Sequence, residues 1–320
     1  MLNIALFILS FSLTFIFLKY WIPLAKKKGI FGIDVHKPNK PKVTEAGGTV
    51  FLFSIIICLL IYGLWLTIQN TTTNLKFFSI FSSILIAGLL GLQDQLIEIR
   101  WRNKLILPLI IALPLMIARV GYTIVDIPFF GPIDLGNIYT FLIIPLGVVG
   151  LVNMVNMLAG YNGLEAGLGA INAFWFLIVS HLIGNELIFF TSLILLGSLL
   201  AFLKFNWYPA KVFPGDVGTF TIGTVLVSMA IIGNMEKFLL SLSSLYLINF
   251  FLFVYWQIKH KPYKKFADVD KNGYIKPPNP YTIYWILPYY FRVKEKTIVK
   301  ILLLVQFFIG FLSFIFFIKI

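Results

Sequence analysis

The sequence has almost no cysteine. Cys58 is alone among 320 residues, so no internal disulfide can form and a disulfide scaffold is excluded. Charge is equally scarce, because Asp, Glu, Lys and Arg make up only 12% of the chain against roughly 25% in an ordinary soluble domain. Carboxylates are the rarer sign, 13 against 26 Lys and Arg, while 59% of residues are hydrophobic. A soluble globule cannot hide that much apolar surface. The mean hydropathy of +0.91 fits a chain solvated largely by lipid, and disordered and collagen-like classes are excluded with the soluble one. The net charge of +13 should then lie mostly on one side of a bilayer. Nucleic acid is the weaker reading of this basicity.

A bilayer core about 30 Å thick needs roughly 20 apolar residues per helix, with every lipid-facing peptide group bonded internally. Ten stretches qualify, at about 2–24, 47–67, 76–93, 105–120, 138–157, 165–183, 186–204, 217–234, 237–258 and 298–319. The first lacks a basic leader and a small-residue cleavage site, which predicts a retained span. Alternate loops, with their helix ends, hold 21 of the 26 basic residues. The positive-inside bias therefore predicts that these loops are cytoplasmic and both termini external. The external segment 121–137 reads as a hairpin, with β-branched residues flanking Phe130-Gly131-Pro132. The expectation is an all-α integral membrane protein of about ten transmembrane helices, one polytopic domain over 1–320, with a short external β-hairpin.

The polar residues collect at the predicted cytoplasmic ends of the spans, whereas secondary transporters usually place their sites near the midplane. Asp34 to Gly48 interleaves Lys37, Lys40 and Lys42 with Pro38 and Pro41, a stiff basic strip that could face phosphates or serve only to orient the chain. Asp94 ends an apolar helix and is followed by Arg100, Arg102 and Lys104. A carboxylate at a membrane boundary is costly unless paired or functional. Asn153, Asn156, Asn162 and Glu165 fall within thirteen residues; the two asparagines at i,i+3 share a helix face, and Gly160 and Gly163 allow backbone to approach a ligand. Polar glue between helices is the bland account of one or two of these asparagines. Around Pro214-Gly215-Asp216-Val217-Gly218 an irregular turn presents Asp216 at a helix start, where it would otherwise serve as a simple cap.

Asn and Asp oxygens without Cys or paired His suit Mg²⁺ or Mn²⁺, which completes its shell with substrate phosphate and water. With basic loops to neutralise a diphosphate, the set is what phosphoryl transfer asks for. The order and spelling of the clusters then become recognisable. Arg100-Trp-Arg-Asn-Lys104, Asn153-Met-Val-Asn156-Met-Leu-Ala-Gly-Tyr-Asn-Gly-Leu-Glu165 and Asn206-Trp-Tyr-Pro-Ala-Lys-Val-Phe-Pro-Gly-Asp216 resemble the polyprenyl-phosphate N-acetylhexosamine-1-phosphate transferases. The likeness is to their archaeal and eukaryotic dolichyl-phosphate N-acetylglucosamine-phosphotransferase branch, and it covers nearly the whole chain.

The resemblance implies a cytoplasmic active site, often in a dimer, that converts UDP-N-acetylglucosamine and a polyprenyl phosphate into lipid-diphosphate-sugar and UMP. By the family pattern Asn156 and Asp216 would hold Mg²⁺, and Asn162, Gly160 and Phe213 would lie against the uracil. Lys104 would meet the lipid phosphate, and Asp94 would orient Lys104 or relay a proton. Lys259-His260-Lys261-Pro262 matches an Arg-His-Arg-x-Pro element, which makes Lys259, His260 and Lys261 candidates for the donor diphosphate and sugar, with Glu45 and Asn153 on the same substrate side. The chain departs from the family in two places. An expected Asp-Asp pair reads Asp94-Gln95, and Lys for Arg around His260 keeps charge but loses the bidentate fork. The triple-His loop of the muramyl-pentapeptide branch is absent. A secondary transporter or lipid flippase is the alternative from another class, and a CDP-alcohol transferase lacks its multi-Asp pattern here.

Overall fold

The structure is a computed structural model and describes residues 2–69, 75–97, 99–127, 131–259 and 266–318. Among the described residues thirteen helices follow one another: α1 Leu2–Lys27, α2 Gly47–Ile68, α3 Leu75–Ile97, α4 Trp101–Ile106, α5 Pro108–Ile117, α6 Ile144–Met157, α7 Leu164–Leu182, α8 Glu186–Asn206, α9 Gly215–Gly233, α10 Glu236–Leu242, α11 Ser244–Lys259, α12 Ile283–Tyr290 and α13 Glu295–Ile318. A π-helical turn, Tyr139–Ile143, leads into α6. Three two-stranded antiparallel pairs decorate the bundle: β1 Phe31–Ile33 with β2 Lys42–Thr44, β3 Ile124–Ile127 with β4 Gly131–Asp134, and β5 Asp268–Val269 with β6 Ile275–Lys276. The β3–β4 pair is the hairpin expected from the sequence, with Ile124 opposite Asp134.

Eight helices among the described residues are long and apolar enough to cross a membrane, and the protein is a multi-pass membrane protein. Two of the ten predicted spans take a different form. The stretch 105–120 is interrupted at Pro108, which opens α5, and the apolar helix Asn103–Ile117 is about 22 Å long, short of a full bilayer core. The stretch 237–258 is split into α10 and α11, bent by 62°. The break falls at Ser243-Ser244, a helix-weakening pair. A broken helix frees carbonyls that lipid cannot satisfy. Gln306 on α13 supplies the missing donor, its Nε2 lying 2.8 Å from the Leu242 carbonyl and 2.6 Å from Asn172 Oδ1 on α7.

Helix α9 is the hub, with nearly all of its side chains buried, and it packs against α2, α3, α6, α7, α8 and α10. Its Gly218, Thr219, Thr221, Gly223, Thr224 and Ser228 give the small surface that lets helices approach closely without lipid between them. The tightest approach is to α2, where a methyl group on Gly48 would lie 2.3 Å from the Gly218 nitrogen and 2.5 Å from the Pro214 carbonyl oxygen. Backbone cannot retreat from such a contact. Gly48→Ala is expected to cost about 1–3 kcal/mol and to lower turnover with it, because the displaced atoms lie next to Asp216; thermal melting in detergent and a turnover assay check both.

Candidate active site

One end of the bundle carries a cavity of about 700 Å³ lined by residues from five stretches of the chain, 33–45, 94–104, 156–165, 206–219 and Phe266. The ends of α3, α6, α7, α8 and α9 converge there, together with α4 and the loop between α1 and α2. The first loop is fastened to the turn before α9. Phe213 N–H donates to the Thr44 carbonyl at 2.7 Å, and the Gly47 and Gly48 N–H groups donate to the carbonyls of Phe213 and Pro214 at 2.9 and 2.8 Å. That turn runs through Gly215 at φ +66°, where any side chain would be strained and would meet Gln95 at 2.8 Å. Asp216 is thereby delivered to the first turn of α9, where a carboxylate suits the helix N-terminus.

Four of the expected residues meet at this point. Lys104 Nζ lies 3.0 Å from Asp216 Oδ1 and forms an ion pair with Asp94 on its other side. Asp94 is buried, and its second oxygen accepts from the Ile99 N–H at 3.1 Å. The Thr219 hydroxyl stands 3.0 Å from Asn156 Oδ1 and 3.2 Å from the Asp216 carbonyl, so Asn156 and Asp216 face the same space. Glu45 lines it as well. Burial and the negative charge of Asp216 hold the Glu45 carboxyl above its usual range, and the Gln95 amide donates a hydrogen bond that opposes the rise. An aspartate at 95 would add one more negative charge to Glu45, Asp94 and Asp216; the glutamine adds a donor instead.

The donor set around Asn156 and Asp216 is oxygen only, the chemistry of a hard divalent cation. Among the described residues no group of three or more His, Cys, Asp or Glu could hold a metal. Asn156 and Asp216 could hold an ion only as a minority of its ligands, which is the habit of Mg²⁺. The residues fit that group.

At the other end of the cavity lies a buried ionic brace that the sequence reading missed. Lys37 Nζ is 2.9 Å from Asp34 Oδ2 and 2.5 Å from Glu295 Oε2, with the lysine and both carboxylates nearly inaccessible. Asn162 is locked into it. Its backbone N–H donates to Glu295 Oε1 at 2.7 Å, its Nδ2 donates to Asp34 Oδ2 at 3.1 Å, and its Oδ1 accepts from the Ala210 N–H at 2.9 Å. Asn206 braces the same turn, accepting from Gly163 N–H at 3.1 Å and donating to the Val212 carbonyl at 2.8 Å. Gly160, Asn162 and Phe213 all line the cavity here, with His36 and Phe266.

The family-model comparison matches residues 77–234 to the glycosyl transferase family 4. A putative UDP-N-acetylglucosamine–dolichyl-phosphate N-acetylglucosaminephosphotransferase of Sulfolobus acidocaldarius is 35% identical over 84% of this chain and 81% of its own length. The chain belongs to glycosyl transferase family 4. A UDP-N-acetylglucosamine–dolichyl-phosphate N-acetylglucosaminephosphotransferase of Schizosaccharomyces pombe is 29% identical over 79% of this chain and 66% of its own. A phospho-N-acetylmuramoyl-pentapeptide-transferase of Dictyoglomus turgidum is 33% identical over 82% of this chain and 85% of its own.

Not every residue that the family pattern suggested lies at the cavity. Asn153 does not line it; its amide donates to the Leu105 carbonyl at 3.1 Å and the Val149 carbonyl at 2.8 Å. It is polar glue between α6 and α4, one of the two roles the sequence left open. Lys259 ends α11, exposed and away from the cavity lining, while His260 and Lys261 lie outside the described residues. Thr219 and Glu295 are the members the sequence did not point to, and Asp34 and Lys37, read there as part of a basic strip, are tied up in the brace. Only Thr219 carried a local signal, one helical turn beyond Asp216 on the same face.

Proposed function

We propose that this protein transfers N-acetylglucosamine-1-phosphate from UDP-N-acetylglucosamine to a polyprenyl phosphate such as dolichyl phosphate, giving lipid-diphosphate-sugar and UMP. The observation that carries this reading is the convergence of Lys104, Asp216 and Asn156 on one cavity at the helix ends, where a soluble nucleotide and a membrane-held phosphate can meet. The names of the Sulfolobus and Schizosaccharomyces relatives support the same donor and acceptor. The muramyl-pentapeptide donor of the Dictyoglomus relative is disfavoured by histidine, since His36, His181 and His260 are the only three in the chain and never neighbours. A transporter reading gains nothing from the structure, in which the Lys104 and Lys37 ion pairs with Asp94, Asp216, Asp34 and Glu295 gather around this one cavity.

The reaction is a direct displacement. An oxygen of the polyprenyl phosphate forms a bond to the sugar-linked phosphorus, the bond from that phosphorus to the bridging oxygen breaks, and UMP leaves with the electron pair. A phosphate monoester with a second pKa of about 6 is already largely ionised, so no strong base is required. Bound Mg²⁺, held by Asn156 and Asp216, would supply charge stabilisation for the diphosphate. Lys104 meets the acceptor phosphate, and Asp94 aims that ammonium. Glu45 and Gln95 face the sugar side, and His260 and Lys261 are the candidates for the remaining donor contacts, while Lys259 stands away from the cavity. The catalytic loops are cytoplasmic, the membrane is the cell membrane, and a homodimer is the assembly that kinship suggests.

Purified full-length protein in detergent, given UDP-N-acetylglucosamine with and without polyprenyl phosphate, tests the reading. UMP is expected only with acceptor, one for each lipid-diphosphate-sugar detected by mass. Release of UDP in place of UMP, or no nucleotide product, overturns it.

A further inference from the structure

Helices α6 and α9 run antiparallel and meet along a seam that ends at the cavity. A methyl group on Gly223 of α9 would lie 2.8 Å from the Val152 Cα of α6, so the two backbones touch there. One turn nearer the cavity on each helix, Thr219 faces Asn156. Thr219 is 1% exposed, and its hydroxyl has two acceptors in reach: Asn156 Oδ1 at 3.0 Å across the seam and the Asp216 carbonyl at 3.2 Å on its own helix. The hydroxyls of Thr221, Thr224 and Ser228 on the same helix are buried with no hydrogen-bond partner. Those three fill space, whereas Thr219 ties together two residues that line the cavity.

We propose that Thr219 is a positioning residue whose hydroxyl turns the Asn156 amide so that Oδ1, and not Nδ2, is offered to a divalent cation beside Asp216. This rests on the functional reading above, in which Asn156 and Asp216 hold Mg²⁺. The two ends of an asparagine amide are alike in shape and opposite in chemistry. One is an oxygen with two lone pairs, the other a pair of N–H donors that cannot ligate a cation. Packing alone does not tell them apart, but a hydrogen-bond donor does. Among the described residues no other group bonds the Asn156 amide. The Thr219 proton occupies one lone pair of Oδ1 and leaves the second for the ion. A threonine hydroxyl in a helix otherwise bonds back to its own preceding turn, and here that alternative is the Asp216 carbonyl, so the same hydroxyl spans both residues of the pair. Losing the partner that orients a ligand typically costs about 10–100-fold in metal affinity.

The test uses the full-length protein in detergent, stripped of metal with a chelator and titrated with Mn²⁺ alone while the free ion is followed by electron paramagnetic resonance. Thr219→Val removes the hydroxyl and keeps the branched shape. It is expected to weaken Mn²⁺ binding about 10-fold and to raise the Mg²⁺ concentration for half-maximal turnover by the same factor, with little change in melting temperature. Thr219→Ala, which adds no methyl group to the seam, should show the same loss, and Thr219→Ser should bind Mn²⁺ as the unmodified protein does. Asn156→Asp places an oxygen at either end of the side chain, so orientation no longer matters. Adding Thr219→Val to Asn156→Asp should therefore leave Mn²⁺ affinity unchanged. Unaltered Mn²⁺ affinity in Thr219→Val and Thr219→Ala overturns the proposal, as does an equal loss on the Asn156→Asp background. An unmodified protein that forms UMP but binds no Mn²⁺ overturns the cation pair and this inference with it. One that binds Mn²⁺ with the expected Thr219 dependence but forms no UMP from donor and acceptor overturns the transferase reading and leaves the role of Thr219 standing.

Discussion

Asp216→Asn is expected to lower kcat by about 10³-fold, the scale of losing one preorganised charge from a transition state. The substitution keeps the size of the side chain and its place at the start of α9 but removes the charge that faces Lys104 at 3.0 Å and shares the cavity with Asn156. Lys104 retains Asp94 as a partner, so the fold should survive and the melting temperature should change little. The Mg²⁺ concentration needed for half-maximal activity should rise. In the unmodified protein a chelator should abolish turnover and added Mg²⁺ should restore it. Turnover by Asp216→Asn at the unmodified rate in the same Mg²⁺ would remove Asp216 from the reaction.

The second large effect concerns stability. Lys37→Ala leaves Asp34 and Glu295 as buried carboxylates without their counter-charge, and breaking a buried pair from one side costs about 3–5 kcal/mol. A fall of about 10 °C in melting temperature is the expected readout, along with a weaker affinity for UMP because Asn162 hangs from the same carboxylates. Glu295→Gln should cost less. Its amide oxygen still accepts from the Asn162 N–H, and Lys37 still has Asp34. If Lys37→Ala melts like the parent, the brace contributes nothing net.

Most of the helices were legible because lipid imposes a length and a composition on any segment that crosses it. Pro108 announced the interruption of the fourth stretch in the sequence itself, and length counting alone passed over it. The Ser243 break was harder to see. Nothing local to Ser243-Ser244 says that Gln306, far along the chain, will satisfy the freed Leu242 carbonyl. At the site, Asp94, Lys104, Asn156 and Asp216 were readable because polar side chains at the ends of apolar runs are costly and therefore informative. Asn153 and Asn156 show the limit of that reasoning. They share a face at i,i+3, but the Leu105 carbonyl of α4 captures the first, and only the second reaches the cavity. The Lys37–Glu295 pair could not be inferred at all, because partners 258 positions apart leave no spacing to read.

That separation bears on how the protein is made. The first loop is synthesised early, while the carboxylate that neutralises Lys37 and anchors the Asn162 amide emerges with the final helix. Until α13 docks, Lys37 has only Asp34 as a partner and the Asn162 N–H lacks its Glu295 acceptor. The brace end of the cavity therefore gains its full set of contacts only once the first loop and the last described helix are both in place.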